Sequence, residues 1–273
     1  MRLALLTYEA LAGAEAVRRF TATHAADIVL VGLSDVHRPA EGDAAAQTRR
    51  HLRRSGWRIT PYLLANFTLP AMSPRWLRRR AAARVEGRPL AQTCAALGLP
   101  VTAVADVNGE AFLQSLAQSG AELIVTFHFD QILSATTLAA APLGGVNVHA
   151  GLLPRHRGPV PTIHALLEDP PATGVTVHRL VAAIDAGPIL AQQALDLPRG
   201  ASAVEAARLL HLAAVPMLSR VLGEIERGET MERTAEPLPY CGWPTAVELR
   251  RLARMGRSMA RWRDMLKALS TPT

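Results

Sequence analysis

Residues 3–33, LALLTYEALAGAEAVRRFTATHAADIVLVGL, carry the reading that decides the fold class. An apolar run from Leu3 to Tyr8 is followed by an alanine- and leucine-rich stretch of helical periodicity near 11 to 23, and a second aliphatic run occupies Ile28 to Leu33. Strand, helix and strand in that order form the unit of a parallel sheet covered by helices. The rhythm repeats: strands are expected at Val101 to Val104 and Leu123 to Phe127, with helices near 44–55, 89–97 and 109–118, the last ending at Gly120.

Between these, Gly56 to Pro89 breaks the rhythm with Pro61, Pro70, Pro74 and Pro89. It reads as an inserted excursion with a short basic helix near 74–85. From Gly144 the pattern resumes as strand, long loop and helix, then two apolar strands at Val175 to Val181 and Ile189 to Asp196. A long helix from Ser202 to Arg227 opens with Ser202 as cap and Glu205 three positions on, a capping-box pattern. After Gly228 come Pro237, Pro239 and Pro244, and then a basic helical stretch from about 245 to 269. The expected division is a catalytic domain over 1–228 and a small basic C-terminal extension over 229–273.

The chain of 273 residues is 49% hydrophobic, enough for one substantial core. Cys94 and Cys241 stand far apart, which suggests neither a disulfide framework nor a thiolate zinc site and suits a reducing compartment. The N-terminus lacks a signal-peptide layout, and no apolar run approaches the ~20 residues of a membrane span. A cytoplasmic protein is the expectation.

Formal net charge is +7, and of the 30 basic residues only Lys267 is lysine. The stretch 44–85 holds Arg49, Arg50, Arg53, Arg54, Arg58, Arg75, Arg78, Arg79, Arg80 and Arg84 with no acidic residue, and a second group runs from Arg250 to Arg263. Two readings stay open: solvated helix faces, or a field that attracts a phosphorylated or nucleic-acid substrate. No G-x-G-x-x-G follows the first strand, so a dinucleotide site loses its main support, and a Walker A loop is excluded for want of a lysine.

Chemistry concentrates in GGVNVHAGLLPRHRG, residues 144–158, and TGVTVHRLVAAIDAGPIL, residues 173–190. A strand through Val146-Asn147-Val148-His149 turns the valines to one side and presents Asn147 and His149 on the other. An amide N–H can hydrogen-bond an oxyanion, and an imidazole can accept the proton of an attacking nucleophile. The pair suits acyl transfer. Asp185, in a loop between two apolar strands, can supply the carboxylate that orients the histidine. By itself an Asn-x-His on a strand also fits a hydrogen-bonded core pair.

These residues resemble the folate-dependent formyltransferases, a family that includes glycinamide ribonucleotide, methionyl-tRNA and amino-sugar formyltransferases. Its pattern of Asn-x-His, a Leu-Leu-Pro loop closing on Gly, and an Asp before Gly some 38 residues after the Asn is met by Asn147, His149, Leu152-Leu153-Pro154, Gly158 and Asp185. The match is strong over roughly 120–228 and only an α/β pattern before that. The resemblance implies a Rossmann-like, mostly parallel sheet flanked by helices. It implies 10-formyltetrahydrofolate as co-substrate, without a metal. Asn147 would hold the formyl oxygen, His149 would act on the attacking amine, and Asp185 would set the histidine's charge. Leu152, Leu153, Pro154, Ile184 and Asp185 would border the folate. Two departures stand out: Ala150-Gly151 where the family usually has Pro-Ser or Gly-Ser, and His128 where it tends to have glycine.

His128, His156, His164 and His178 lack metal-ligand spacing. His156 is the one expected to be exposed near the site, and Arg155 and Arg157 could grip a phosphate or the folate tail. The acceptor expected is a small-molecule amine, an amino sugar, nucleotide-linked sugar or amino-acid derivative, phosphorylated if the arginine cluster serves it. Nucleic acid and membrane are not expected partners. The alternatives are a methionyl-tRNA formyltransferase, for which the residues after Gly228 look too few to form the usual β-barrel; a 10-formyltetrahydrofolate hydrolase, which usually carries an extra N-terminal domain; and a non-catalytic basic RNA-binding protein.

Overall fold

A computed structural model describes residues 1–34, 44–71 and 89–270. Seven strands form one sheet in the order β3-β2-β1-β4-β5-β6-β7. They are β1 (Leu3–Thr7), β2 (Ile28–Ser34), β3 (Val101–Val104), β4 (Leu123–Phe127), β5 (Gly145–His149), β6 (Gly174–Arg179) and β7 (Ile189–Ala194). Pairing is parallel from β3 through β5, and β6 and β7 add antiparallel at one edge. The central strands β1 and β4 are buried along their whole length. That is why they read as unbroken aliphatic runs rather than alternating ones.

Helices cover both faces. On one side the helices Leu11–Thr23 and Ala203–Glu226 bury Val17, Phe20, Leu218 and Val221 against Leu5, Val125 and Val146. On the other, Phe112 and Leu116 of the helix Glu110–Ser119 pack on Ala4, Leu6 and Ile124. Ser202 caps the long helix, its Oγ accepting from the Glu205 N–H at 3.1 Å. Gly120 ends the helix before β4 in a left-handed conformation, φ 63°.

The excursion after Gly56 is more regular than its prolines suggest. Trp57–Ile59 is a 3₁₀ turn, Thr60–Leu63 α, Leu64–Thr68 π and Leu69–Ala71 α, so residues 57–71 form one continuous helical run. Pro61 does not break it, because it sits in the first turn of its helical piece, where no backbone N–H is needed. The expected basic helix at 74–85, with its arginines, lies outside the described residues. Ile59, Tyr62 and Ala65 form a third core cluster with Ile163 and Leu166 and with Leu249, Leu252, Met259 and Ala268. The last four come from the C-terminal residues, whose helices are Ala246–Arg254 and Trp262–Ser270. A capping box between Thr245 and Glu248 starts the first of these.

The strand order reverses between β1 and β4. In an open α/β sheet the crevice beyond the carboxyl ends of the strands at such a switch is where ligands bind. Tyr8, His128 and Ala150 are the residues that leave β1, β4 and β5 at this end.

Candidate active site

Two cavities meet beyond those strand ends. The smaller, about 260 Å³, is lined by Asn147, His149 and Asp185, with Thr126, His178 and His211 beside them. The larger, about 530 Å³, lies toward residues 47–68 and Trp243. Tyr62, His128, Phe129, Asp130, Pro159 and Val160 border both.

Asn147 is fixed from two directions. Its Oδ1 accepts from the Thr126 hydroxyl at 2.7 Å, and its Nδ2 lies 3.0 Å from His178 Nε2. The His178 Nδ1 lies 2.8 Å from the Arg179 carbonyl, so Nδ1 carries the hydrogen and Nε2 accepts from Asn147. One hydrogen of the Asn147 amide is thereby held, and the other is left for a ligand oxygen. Antiparallel pairing sets this contact, for Asn147 stands directly opposite His178.

His149 is 4% exposed. Its Nε2 lies 3.2 Å from the His156 carbonyl, which fixes the hydrogen on Nε2 and leaves the Nδ1 lone pair facing Asp185 Oδ2 at 3.7 Å. Burial pushes the His149 pKa below 6.5, with Asp185 opposing, so the ring is neutral at neutral pH. Asp185 sits at φ 47°, a left-handed conformation that aspartate tolerates. Its Oδ2 accepts from the Gly158 N–H at 2.8 Å, and Oδ1 lies 3.6 Å from His178 Nε2. Burial alone would raise its pKa, yet the charge that His149 takes on when protonated, that of a protonated His178, and the Gly158 N–H hold it at about 2. An ionised carboxylate therefore faces a neutral imidazole whose open nitrogen can take a proton. Once taken, that proton is stabilised from both sides.

The loop 152–158 differs from expectation. Leu152, Leu153 and Pro154 are absent from the cavity walls. Leu152 packs over Gly174, where a Cβ would come within 2.4 Å of its Cδ2, while Leu153 is buried and its N–H donates to Thr176 Oγ1 at 3.2 Å. The segment turns back over β6 and braces the loop. The apolar walls come instead from Ile132, Leu133, Leu180, Val181 and Ile184. His156 is buried, not exposed, with Nε2 2.9 Å from Glu168 Oε1. Arg157 donates through Nε to the Ile184 carbonyl at 3.0 Å and through Nη1 to the Leu238 carbonyl at 2.8 Å, so it ties the loops together rather than awaiting a phosphate. Arg155 pairs with Glu168 at 3.3 Å.

The C-terminal residues close the site. Cys241 N–H donates to the Arg157 carbonyl at 2.7 Å. Gly158 has φ 130°, and a Cβ there would lie 2.1 Å from the Cys241 carbonyl, so only glycine lets this strap approach. Tyr240 then reaches the smaller cavity and Trp243 the larger. Among the described residues no group of three or more His, Cys, Asp or Glu could hold a metal ion. No described helix is long and apolar enough to cross a membrane.

The profile of the Formyl transferase family matches residues 83–222, about half of the chain. The chain belongs to the formyl transferase family. A methionyl-tRNA formyltransferase of Nitratidesulfovibrio vulgaris (strain DP4) is 41% identical over 112 residues, which are 40% of this chain and 34% of that one, so the match spans about a third of the relative's length. Solved structures of low identity share the fold. A phosphoribosylglycinamide formyltransferase from Anaplasma phagocytophilum superposes with a TM-score of 0.57 at 14% identity, covering 89% of this chain and 98% of that one. The sugar 3N-formyl transferase WlaRD, solved with dTDP and 5-N-formyl-THF, gives 0.54 at 12% identity, covering 89% and 69%.

Within the formyl transferase family, the Ala150-Gly151 departure has a steric cause here. A Cβ on Gly151 would meet the Pro161 Cβ at 2.8 Å and His149 Nε2 at 3.0 Å, so a serine does not fit. Motif reading found Asn147, His149, Asp185 and Ile184 on the cavity, but missed His178, Thr126, His211 and the wall at 129–133. The alternation Thr176-Val177-His178 was a usable signal for His178. Its partner could be known only from the β5–β6 register.

Proposed function

We propose that this chain transfers the formyl group of 10-formyltetrahydrofolate to the amine of a small-molecule acceptor, with Asn147, His149 and Asp185 as catalytic residues. The observation that carries the reading is the arrangement of a neutral His149 between Asp185 and the His156 carbonyl, beside an Asn147 amide with one hydrogen uncommitted. The donor supplies an acyl carbon at the formyl oxidation level on a nitrogen able to leave. Asn147 Nδ2 donates to the formyl oxygen as it gains negative charge. His149 Nδ1 takes the proton from the attacking amine, and Asp185 together with the His156 carbonyl holds the imidazolium that results. The same proton then goes to the leaving nitrogen.

The smaller cavity fits a folate by its chemistry. Ile132, Leu133, Leu180, Val181 and Ile184 offer apolar walls to a flat ring, and Gln131 and Asp130 offer polar groups at their edge. The larger cavity is the natural acceptor side, and Arg50 and Arg54 on its wall suit a phosphorylated amine. We treat 1–228 as the catalytic domain and 229–273 as an extension that completes the walls through Tyr240 and Trp243. Calorimetry with 5-formyltetrahydrofolate in the presence of chelator should give saturable binding. A screen of amines, following release of tetrahydrofolate, then identifies the acceptor. No binding at millimolar ligand would remove the basis of the proposal.

The likeness to a methionyl-tRNA formyltransferase favours one other acceptor, a charged tRNA. The two separate on salt: polynucleotide contacts through arginines weaken steeply as salt rises. Tight, saturable tRNA binding at physiological salt would select the tRNA reading over the small amine.

A further inference from the structure

His128 adopts a left-handed backbone conformation, φ 56°, uncommon for any residue that carries a Cβ. Room for its ring comes from Gly13, in the first turn of the helix Leu11–Thr23. A Cβ there would lie 2.2 Å from the imidazole Nδ1 and 2.7 Å from Cγ. Gly13 has ordinary helical geometry, so it is glycine for space and not for conformation. Two positions far apart in sequence, a left-handed His128 and a side-chain-free Gly13, thus together place one imidazole at this point.

That point is the wall between the cavities, at the reversal of strand order. The ring lies between Tyr8, with centroids 4.4 Å apart, and His211, at 4.6 Å. Its Nε2 is 3.1 Å from the Tyr8 hydroxyl, the one hydrogen-bond partner of that hydroxyl among the described residues. Its Nδ1 is buried without a partner there. A buried N–H without an acceptor is costlier than a buried lone pair, and the positive end of the helix beside Gly13 favours a lone pair at Nδ1. The hydrogen therefore sits on Nε2 and points to the Tyr8 oxygen. The hydroxyl's own hydrogen is then directed away from the ring. Tyr8 borders only the larger cavity, where Arg50, Arg54, Phe67 and Trp243 also stand.

We propose that His128 is a positioning residue that fixes the Tyr8 hydroxyl as a hydrogen-bond donor into the larger cavity, where it recognises an anionic oxygen of a ring-bearing acceptor. The aromatic walls take the ring, Arg50 and Arg54 supply positive potential that outweighs the one acidic residue on this wall, Asp130, and the oriented hydroxyl selects a phosphate or carboxylate. The proposal rests on the formyl-transfer reading only in naming this ligand the acceptor.

The test uses phenyl phosphate and benzoate as probes on the full chain, by calorimetry. At least one should bind the unaltered protein, and the stronger binder tells phosphate from carboxylate. Tyr8→Phe should weaken it about 10- to 100-fold, as expected for a hydrogen bond to a charged group. His128→Gly, which suits the local backbone, should weaken it several-fold, and should have no further effect when Tyr8 is already Phe. Nitrogen-15 resonances of His128 should report the Nε2–H form. Binding of neither probe, equal binding to Tyr8→Phe, additive losses in the double variant, or an Nδ1–H ring would each overturn the proposal. Affinity for 5-formyltetrahydrofolate, measured in parallel on Tyr8→Phe, should not change. If the folate fails to bind the unaltered protein while the Tyr8 dependence persists, formyl transfer falls and the pair stands.

Discussion

The smaller cavity is walled by strand ends and by loops locked to them, and its central polar groups are held by several partners each. The larger is walled mostly by the helices of residues 44–71 and by Trp243 from the C-terminal strap. In the first, Asn147, His149, His178 and Asp185 hold one another, and backbone groups of Gly158, His156 and Arg179 fix what remains. In the second, Gln47, Arg50, His51 and Arg54 come from a helix exposed along one side, and ring contacts such as His51 edge-on to Trp243, 4.3 Å between centroids, do the positioning there. Chemistry common to many substrates suits the first kind of construction. Selection of one substrate suits the second, which can change without disturbing the sheet.

The contrast is broken most directly at the reacting groups. His149→Ala, Asp185→Asn and Asn147→Ala should each lower formyl transfer by at least ~100-fold with the fold intact, since a general base or one oxyanion donor typically contributes 10²–10³-fold or more. The losses should not multiply. Because Asp185 acts through His149, the double variant should match His149→Ala alone. Losses that add, in step with falling stability, would assign these residues to packing.

Acid sharpens the same contrast, because the buried histidines cluster on the smaller cavity. Burial, reinforced by His211, pushes His128 well below 6.5, and burial holds His211 at about 4. Folding keeps these rings neutral, whereas the unfolded chain binds protons near 6.5. Their stabilisation is therefore complete above about pH 6.5 and is lost as pH falls toward 4. For His211 alone this amounts to about 3 kcal/mol. Asp185, held at about 2, acts in the same direction lower down: its contribution is present above about pH 4 and lost between about 4 and 2. Thermal melts at pH 7.5 and pH 5 should differ markedly, and His211→Phe should reduce the difference. An unchanged difference would put the acid sensitivity elsewhere.

His178 tests how far register, rather than motif, builds the site. His178→Phe keeps the ring volume but removes the Nε2 that orients Asn147, while Thr126 still holds Oδ1. Turnover should fall about 10-fold, less than for Asn147→Ala, in line with losing one neutral hydrogen bond. A loss as large as that of Asn147→Ala would make His178 a direct participant.

What could be read in advance follows the same division. Aliphatic runs such as Leu3 to Tyr8 and Leu123 to Phe127 gave the parallel strands, since strands buried on both faces have no other composition available. Asn147 and His149 followed from period-two alternation and Asp185 from its place between strands. The helical run at 57–71 was masked by Pro61, whose effect depends on its place in the turn. His178, the strap at 240–243 and the inward turn of Leu152 to Pro154 depend on which segments meet in space, and no local pattern encodes that.

The smallest effect separates two apolar residues that the motif treats alike. Ile184 borders the smaller cavity, and Leu152, inside the Leu-Leu-Pro segment, does not. Ile184→Ala removes part of a half-exposed wall, and at ~0.8 kcal/mol per buried methylene it should weaken 5-formyltetrahydrofolate about fivefold, with the main chain that anchors Arg157 left in place. Leu152→Ala takes away the side chain packed over Gly174 and should lower stability by about 1–2 kcal/mol while changing folate affinity less than twofold. The pair of measurements, affinity and melting temperature on both variants, distinguishes a wall from a brace. If Leu152→Ala proved the weaker folate binder of the two at equal stability, the loop would have to swing into the cavity when the donor arrives, and the wall assigned here to Ile132, Leu133, Leu180, Val181 and Ile184 would be incomplete.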